Sequence, residues 1–98
     1  RNCMYGSIFG LKPKQGKKGA LIDYFKQDQT IPEGGVAWFV MNPDDEGDLV
    51  GIAVFKDKES YRANADRPEQ HKNFMEMMEY LDQEPSWNDG TFVIGDIV

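Results

Sequence analysis

His71 is the only histidine in a chain of 98 residues. It is therefore the only side chain that ordinarily changes charge near neutral pH. It stands at helical spacing with Phe74, Met78 and Leu81, at the end of an apolar stripe. Two readings are open for it: a pocket-edge base or hydrogen-bond donor, and a boundary residue half in water. Asn64 and Tyr61 carry an amide and a phenol, groups that hydrogen-bond a phenolic or quinone oxygen. Tyr5, Trp38, Phe74 and Met78 offer flat or adaptable apolar wall for a planar ligand, and read equally as ordinary core packing. The candidate catalytic residues are thus His71, Asn64 and Tyr61. The candidate substrate-binding residues are Tyr5, Trp38, Phe74 and Met78.

Other chemistries find no support in the residue pattern. Asp44, Asp45, Glu46 and Asp48 suggest calcium, but an EF-hand loop starting at Asp44 would need Gly at its sixth position and Glu at its twelfth. Those positions hold Leu49 and Phe55, so the segment reads as a solvated acidic hairpin. No His/Cys cluster suits zinc, and no glycine-rich phosphate loop occurs. A single His with no geometry does not make a Ser-His-Asp set. Metal and cofactor are both expected to be absent. Cys3 is the single cysteine. It cannot pair within the chain and reads as a small apolar residue in a reducing compartment.

Eleven Lys and Arg stand against 17 Asp and Glu, a net charge of −6. Nucleic-acid binders show a basic footprint. Here only Lys12, Lys14, Lys17 and Lys18 cluster, around a turn. No apolar run approaches the ~20 residues that span a bilayer, and no leader is visible at the start. The expectations are a cytoplasmic protein with no nucleic-acid partner and no membrane partner.

The elements that must position these residues follow from periodicity. Residues 3–11 predict a strand, apolar or small on both faces. Pro13 to Gly16 makes a turn. Leu21, Tyr24, Phe25 and Asp28 mark a helix over 17–28, and Thr30 to Gly35 a connection. Strands over 36–42 and 49–55 flank a short polar loop, the pattern of a hairpin. Asp57 caps the next helix. Pro68 breaks that helix at Asp66–Arg67 and restarts it, carrying His71 to Leu81. Pro85 ends it. Asn88-Asp89-Gly90 then turns the chain into a last strand, Thr91 to Val98, and Trp87, in the Pro85–Gly90 turn, reads as an anchor against the core or a partner subunit.

The order β-α-β-β-α-β is the ferredoxin-like arrangement, an α+β sandwich with an antiparallel sheet and both helices on one face. One domain over residues 1–98 is expected, since a chain this short holds one core. Its first three strands are apolar on both sides, so the second sheet face needs a cover. Another copy of the same sheet is the economical one.

Tyr5-Gly6-Ser7-Ile8-Phe9, Lys14-Gln15-Gly16-Lys17 and the run Val54 to Asn64 resemble the dimeric α/β-barrel proteins related to antibiotic-biosynthesis monooxygenases. The resemblance implies a homodimer with two sheets face to face. Each subunit would hold a pocket between its sheet and helices. It also implies oxidation of a small aromatic or polyketide-type substrate without bound metal or flavin. The alternative is a non-catalytic homodimer that binds or senses a small ligand. A third possibility is a structural dimer whose pocket is filled by its own Met and aromatic side chains. The haem-degrading branch of the fold uses an Asn, Trp and His set. This chain departs from it, with Ser7 or Phe9 in the first strand, Asn64 near the Trp position and Phe74 near the His position.

Overall fold

The computed structural model describes residues 3–27, 31–45 and 47–98. Asp28 of the expected first helix, Thr30 of the expected connection and Glu46 of the acidic loop lie outside them. The elements run β1 (Tyr5–Leu11), α1 (Lys18–Gln27), β2 (Gly35–Met41), β3 (Leu49–Phe55), α2 (Lys58–Ala65), α3 (Pro68–Met78) and β4 (Ser86–Thr91). The sheet order is β2-β3-β1-β4, with every neighbouring pair antiparallel. This is the α+β ferredoxin-like arrangement the element order predicts.

Register decides which side chains meet the helices. Ser7 lies opposite Ala53 and Asp89, Phe9 opposite Gly51 and Trp87, and Leu11 opposite Leu49. Directly paired residues share a face. Phe9, Leu11 and Leu49 therefore point with Leu21 of α1 and Met77 of α3 into one buried cluster, which Leu81 completes. Gly51 is required there, because a β-carbon on it would strike the Phe9 ring. The alternate residues occupy the other face: Ile8 pairs with Ile52, and Ile52 with Phe39. That face carries no helix, and Ile8, Phe39 and Met41 are exposed on it.

The second helix breaks where Pro68 predicts. Asp57 caps α2, its carboxylate accepting from the Ser60 amide at 2.7 Å. Arg67 precedes Pro68 with extended backbone (φ −72°, ψ 135°), the geometry a following proline enforces. The end of the following helix differs from expectation. The helix of His71 ends at Met78, and Leu81 instead forms a β-bridge with Pro13.

The larger correction is the last strand. It is Ser86–Thr91, not Thr91 to Val98, so Asn88-Asp89-Gly90 lies inside a strand rather than in a turn. Pairing with β1 sets Asn88 against Ile8, Asp89 against Ser7 and Gly90 against Gly6. Long-range pairing overrides the local turn preference of these residues. An edge strand tolerates them, since only one side needs a partner. Beyond it, Phe92 donates its amide to the Met4 carbonyl at 2.8 Å, and Val93, Ile94, Ile97 and Val98 are exposed.

Candidate functional site

A cleft of about 870 Å³ opens between the helices and the helix-facing side of the sheet. A cleft beside His71 counts against the possibility of a pocket filled by the protein's own side chains. Aromatic rings wall it on two sides. Toward β2, Trp38 meets the Phe25 ring edge-on at 5.5 Å between centroids. Toward β4, Trp87 stacks obliquely on Phe9 at 4.9 Å and approaches Phe74 at 6.4 Å. Both flanks present flat apolar surface, which suits a planar ligand.

Five of the seven sequence-predicted residues line this cleft: Tyr61, Asn64, His71, Trp38 and Phe74. His71 is exposed at the rim, on the first turns of α3. Asn64 stands at the end of α2, where the Arg67 guanidinium donates to its Oδ1 at 3.1 Å. That bond leaves the amide NH2 as the donor Asn64 can offer the cleft. Tyr5 and Met78 are not in the lining. Tyr5 sits behind Tyr61, the two rings edge-to-face at 5.4 Å. Met78 packs against the core cluster. Both act on the cleft only by supporting what lines it.

Tyr61 is the best-held polar group. Its ring is gripped edge-on by Tyr5 and by Phe55, the latter at 5.5 Å. Its hydroxyl donates to Asp89 Oδ1 at 3.0 Å, joining α2 to β4. Burial first, then the bond to the Asp89 carboxylate and that carboxylate's charge, together raise the phenol's pKa to about 12, against a smaller opposing pull from the neighbouring Ser7 hydroxyl. At neutral pH Tyr61 is a fixed, protonated hydrogen-bonding group.

Three cleft residues escape sequence reading. Ser7 lies on the sheet floor with 1% exposure, its Oγ without a hydrogen-bond partner. Asp89 and Trp87 were assigned to a turn. The alternation Trp87, Asp89, Thr91 was the available sign that they share the helix-facing side. Trp87 is therefore a cleft wall rather than a turn anchor. Cys3, read as a small apolar residue, is free and exposed.

No family model matches the sequence, and no curated protein matches it. Solved structures do resemble it. A protein of unknown function from Nitrosomonas europaea superposes with a TM-score of 0.80 at 15% identity, over 98% of this chain and 95% of that one. A "putative antibiotic biosynthesis monooxygenase" from Chloroflexus aurantiacus gives 0.75 at 21% identity, over 95% and 96%. A dimeric protein of unknown function and ferredoxin-like fold from Bacteroides fragilis gives 0.68 at 17%, over 91% and 96%. The chain thus has a ferredoxin-like α+β fold. Within that class, its structural neighbours include the antibiotic biosynthesis monooxygenase-like proteins, which supports the resemblance found in the sequence. Among the described residues, no helix is long and apolar enough to cross a membrane.

Proposed function

We propose that the chain is a cytoplasmic one-domain homodimer whose cleft takes a small aromatic or polyketide-type substrate and oxygenates it without a bound cofactor. One observation carries the reading: an 870 Å³ cleft with aromatic walls on both flanks and polar groups set between them. The neighbours described as monooxygenases support the reaction class. Neighbours described as dimeric support the assembly, as does the helix-free sheet face with Ile8, Phe39 and Met41 exposed.

The reaction balances when the substrate is its own reductant. A methylene conjugated through its flanking rings to a ring carbonyl loses two hydrogens to dioxygen. One oxygen atom becomes its new carbonyl, and the other leaves as water with those hydrogens. His71 at the rim accepts the first proton. The NH2 of Asn64 donates to the enolate oxygen so formed, and Tyr61 holds a ligand oxygen near β4. Removing the proton is the step the protein accelerates, because the carbanion is what oxygen attacks.

Oxygen uptake with anthrone and hydroxylated polycyclic aromatics tests this. Turnover is expected in the wild type. It should fall about a hundredfold in His71→Ala, with substrate affinity retained, a loss at the low end for a general base. A second reading, a binding or sensing homodimer, is favoured by His71 itself, exposed at the rim with no side-chain hydrogen bond among the described residues to orient it as a base. Ligand-induced rise in melting temperature without product would establish that reading and overturn catalysis.

A further inference from the structure

The Ser7 hydroxyl is the only buried side-chain polar atom without a partner among the described residues. A buried, unpaired hydroxyl is costly, and native proteins rarely keep one without use. This one lies in the lining of the cleft, beside the Tyr61 phenol and directly across the strand pair from Asp89. We propose that Ser7, Tyr61 and Asp89 form a subsite that selects a ligand hydroxyl; the proposal rests on the reading of the cleft as an aromatic-ligand site.

Counting donors and acceptors gives the selectivity. Tyr61 donates to Asp89, and the Ser7 hydroxyl, though beside the phenol, makes no well-formed hydrogen bond. A ligand hydroxyl placed between Tyr61 and Asp89 donates to the carboxylate and accepts from the phenol. The phenol oxygen, relieved of its old geometry, accepts from Ser7. The chain then runs Ser7 to Tyr61 to ligand oxygen to Asp89. It contains three donated hydrogens and three accepting oxygens, with none left over. A methyl ether or a ketone brings no hydrogen for Asp89 and breaks the chain at its charged end. The subsite therefore reads a phenol or enol and discriminates against the same skeleton with its oxygen capped. Ser7 never touches the ligand: it is a positioning residue that orients Tyr61. Its burial beneath the phenol is consistent with that role.

Isothermal titration calorimetry of the full chain with 1-naphthol and 1-methoxynaphthalene tests the assignment. The wild type should prefer the naphthol by about tenfold or more, the worth of a hydrogen bond to a charged group. Asp89→Ala, an exposed edge-strand change, should bring the ratio close to one. Ser7→Ala should reduce it by about threefold or more, with affinity for the ether unchanged. A ratio near one in the wild type overturns the hydroxyl subsite while leaving the aromatic cleft standing. A ratio that Ser7→Ala leaves intact overturns the part given to Ser7, and one that Asp89→Ala leaves intact overturns the subsite. Failure of both compounds to bind overturns the subsite together with the aromatic-ligand reading.

Discussion

The Tyr61 hydroxyl donates to Asp89 Oδ1 at 3.0 Å, tying a helix to an edge strand whose only strand neighbour is β1. The bond closes the β4 flank of the cleft and fixes the phenol's place within it. It also holds the proton on the phenol. A phenol whose folded pKa is about 12, against 10.0 ordinarily, keeps its proton in the folded state after the unfolded chain has lost it. The group's contribution to stability is thus fully present below pH 10 and is lost as pH rises from 10 to 12. Denaturant titrations across that window should show a steeper alkaline loss in the wild type than in Tyr61→Phe. Identical slopes would contradict the raised pKa.

Ser7→Ala should stabilise the protein. It removes a buried hydroxyl that makes no well-formed hydrogen bond, a defect worth about 1–3 kcal/mol, while the loss of one small atom leaves little void. A gain of about 1 kcal/mol corresponds to roughly 4–8 °C in melting temperature for a domain of this size. Calorimetry would show it directly. A lower melting temperature would mean that the hydroxyl has a structural partner in solution.

Gly51→Ala should do the opposite. Its new methyl would meet the Phe9 ring, which cannot retreat into the packed Leu11 and Leu49. The ring must move toward Trp87 and the cleft. Overpacking of this kind costs about 1–3 kcal/mol, read as a shift in urea midpoint. Weaker binding of aromatic ligands should accompany it.

Phe39→Glu tests the assembly. It sets a charge on the exposed sheet face beside Ile52. Sedimentation of the wild type should give about twice the 11.2 kDa of the chain. The variant should sediment as a monomer with its far-ultraviolet spectrum intact. A monomeric wild type would reject the face-to-face sheet arrangement.

Asp57→Ala should lower the melting temperature at neutral pH, because the Ser60 amide loses the carboxylate that caps α2. That amide's bond holds the Asp57 pKa below its usual 3.8, with further help from the Ser60 hydroxyl and Lys56. The cap's contribution is thus present above pH 3.8 and lost as pH falls through the lower folded value. The gap between wild type and variant should close in acid.

Much of this architecture was legible in the chain because local rules and tertiary demands coincide there. Pro68 both forbids helix at Arg67 and starts the next one, so the α2–α3 break could be placed to the residue. Strands β1 to β3 alternate apolar side chains onto two faces, so the uncovered face was predictable too. Trp38, Tyr61 and Phe74 fell on the cleft because they sit on the stripes that face the core. The β4 side was not legible. Ser86 to Thr91 carries no apolar alternation, and Asn-Asp-Gly favours a turn until β1 offers it a ladder. With β4 misplaced, Asp89 had no reason to meet Tyr61, and Ser7 passed as one small residue in a strand. Hydrogen-bond vacancy belongs to three dimensions and leaves no mark in residue order.

The two tryptophans stand on opposite edge strands, half-exposed at 47% and 50%, and both form walls of the same cleft. The chain has no others. Its tryptophan emission, selected by excitation near 295 nm where tyrosine scarcely absorbs, therefore originates from the two flanks of the site. An arriving ring system that absorbs near 330 nm would be reported from both sides at once, with no label attached. The protein carries its own optical gauge of occupancy.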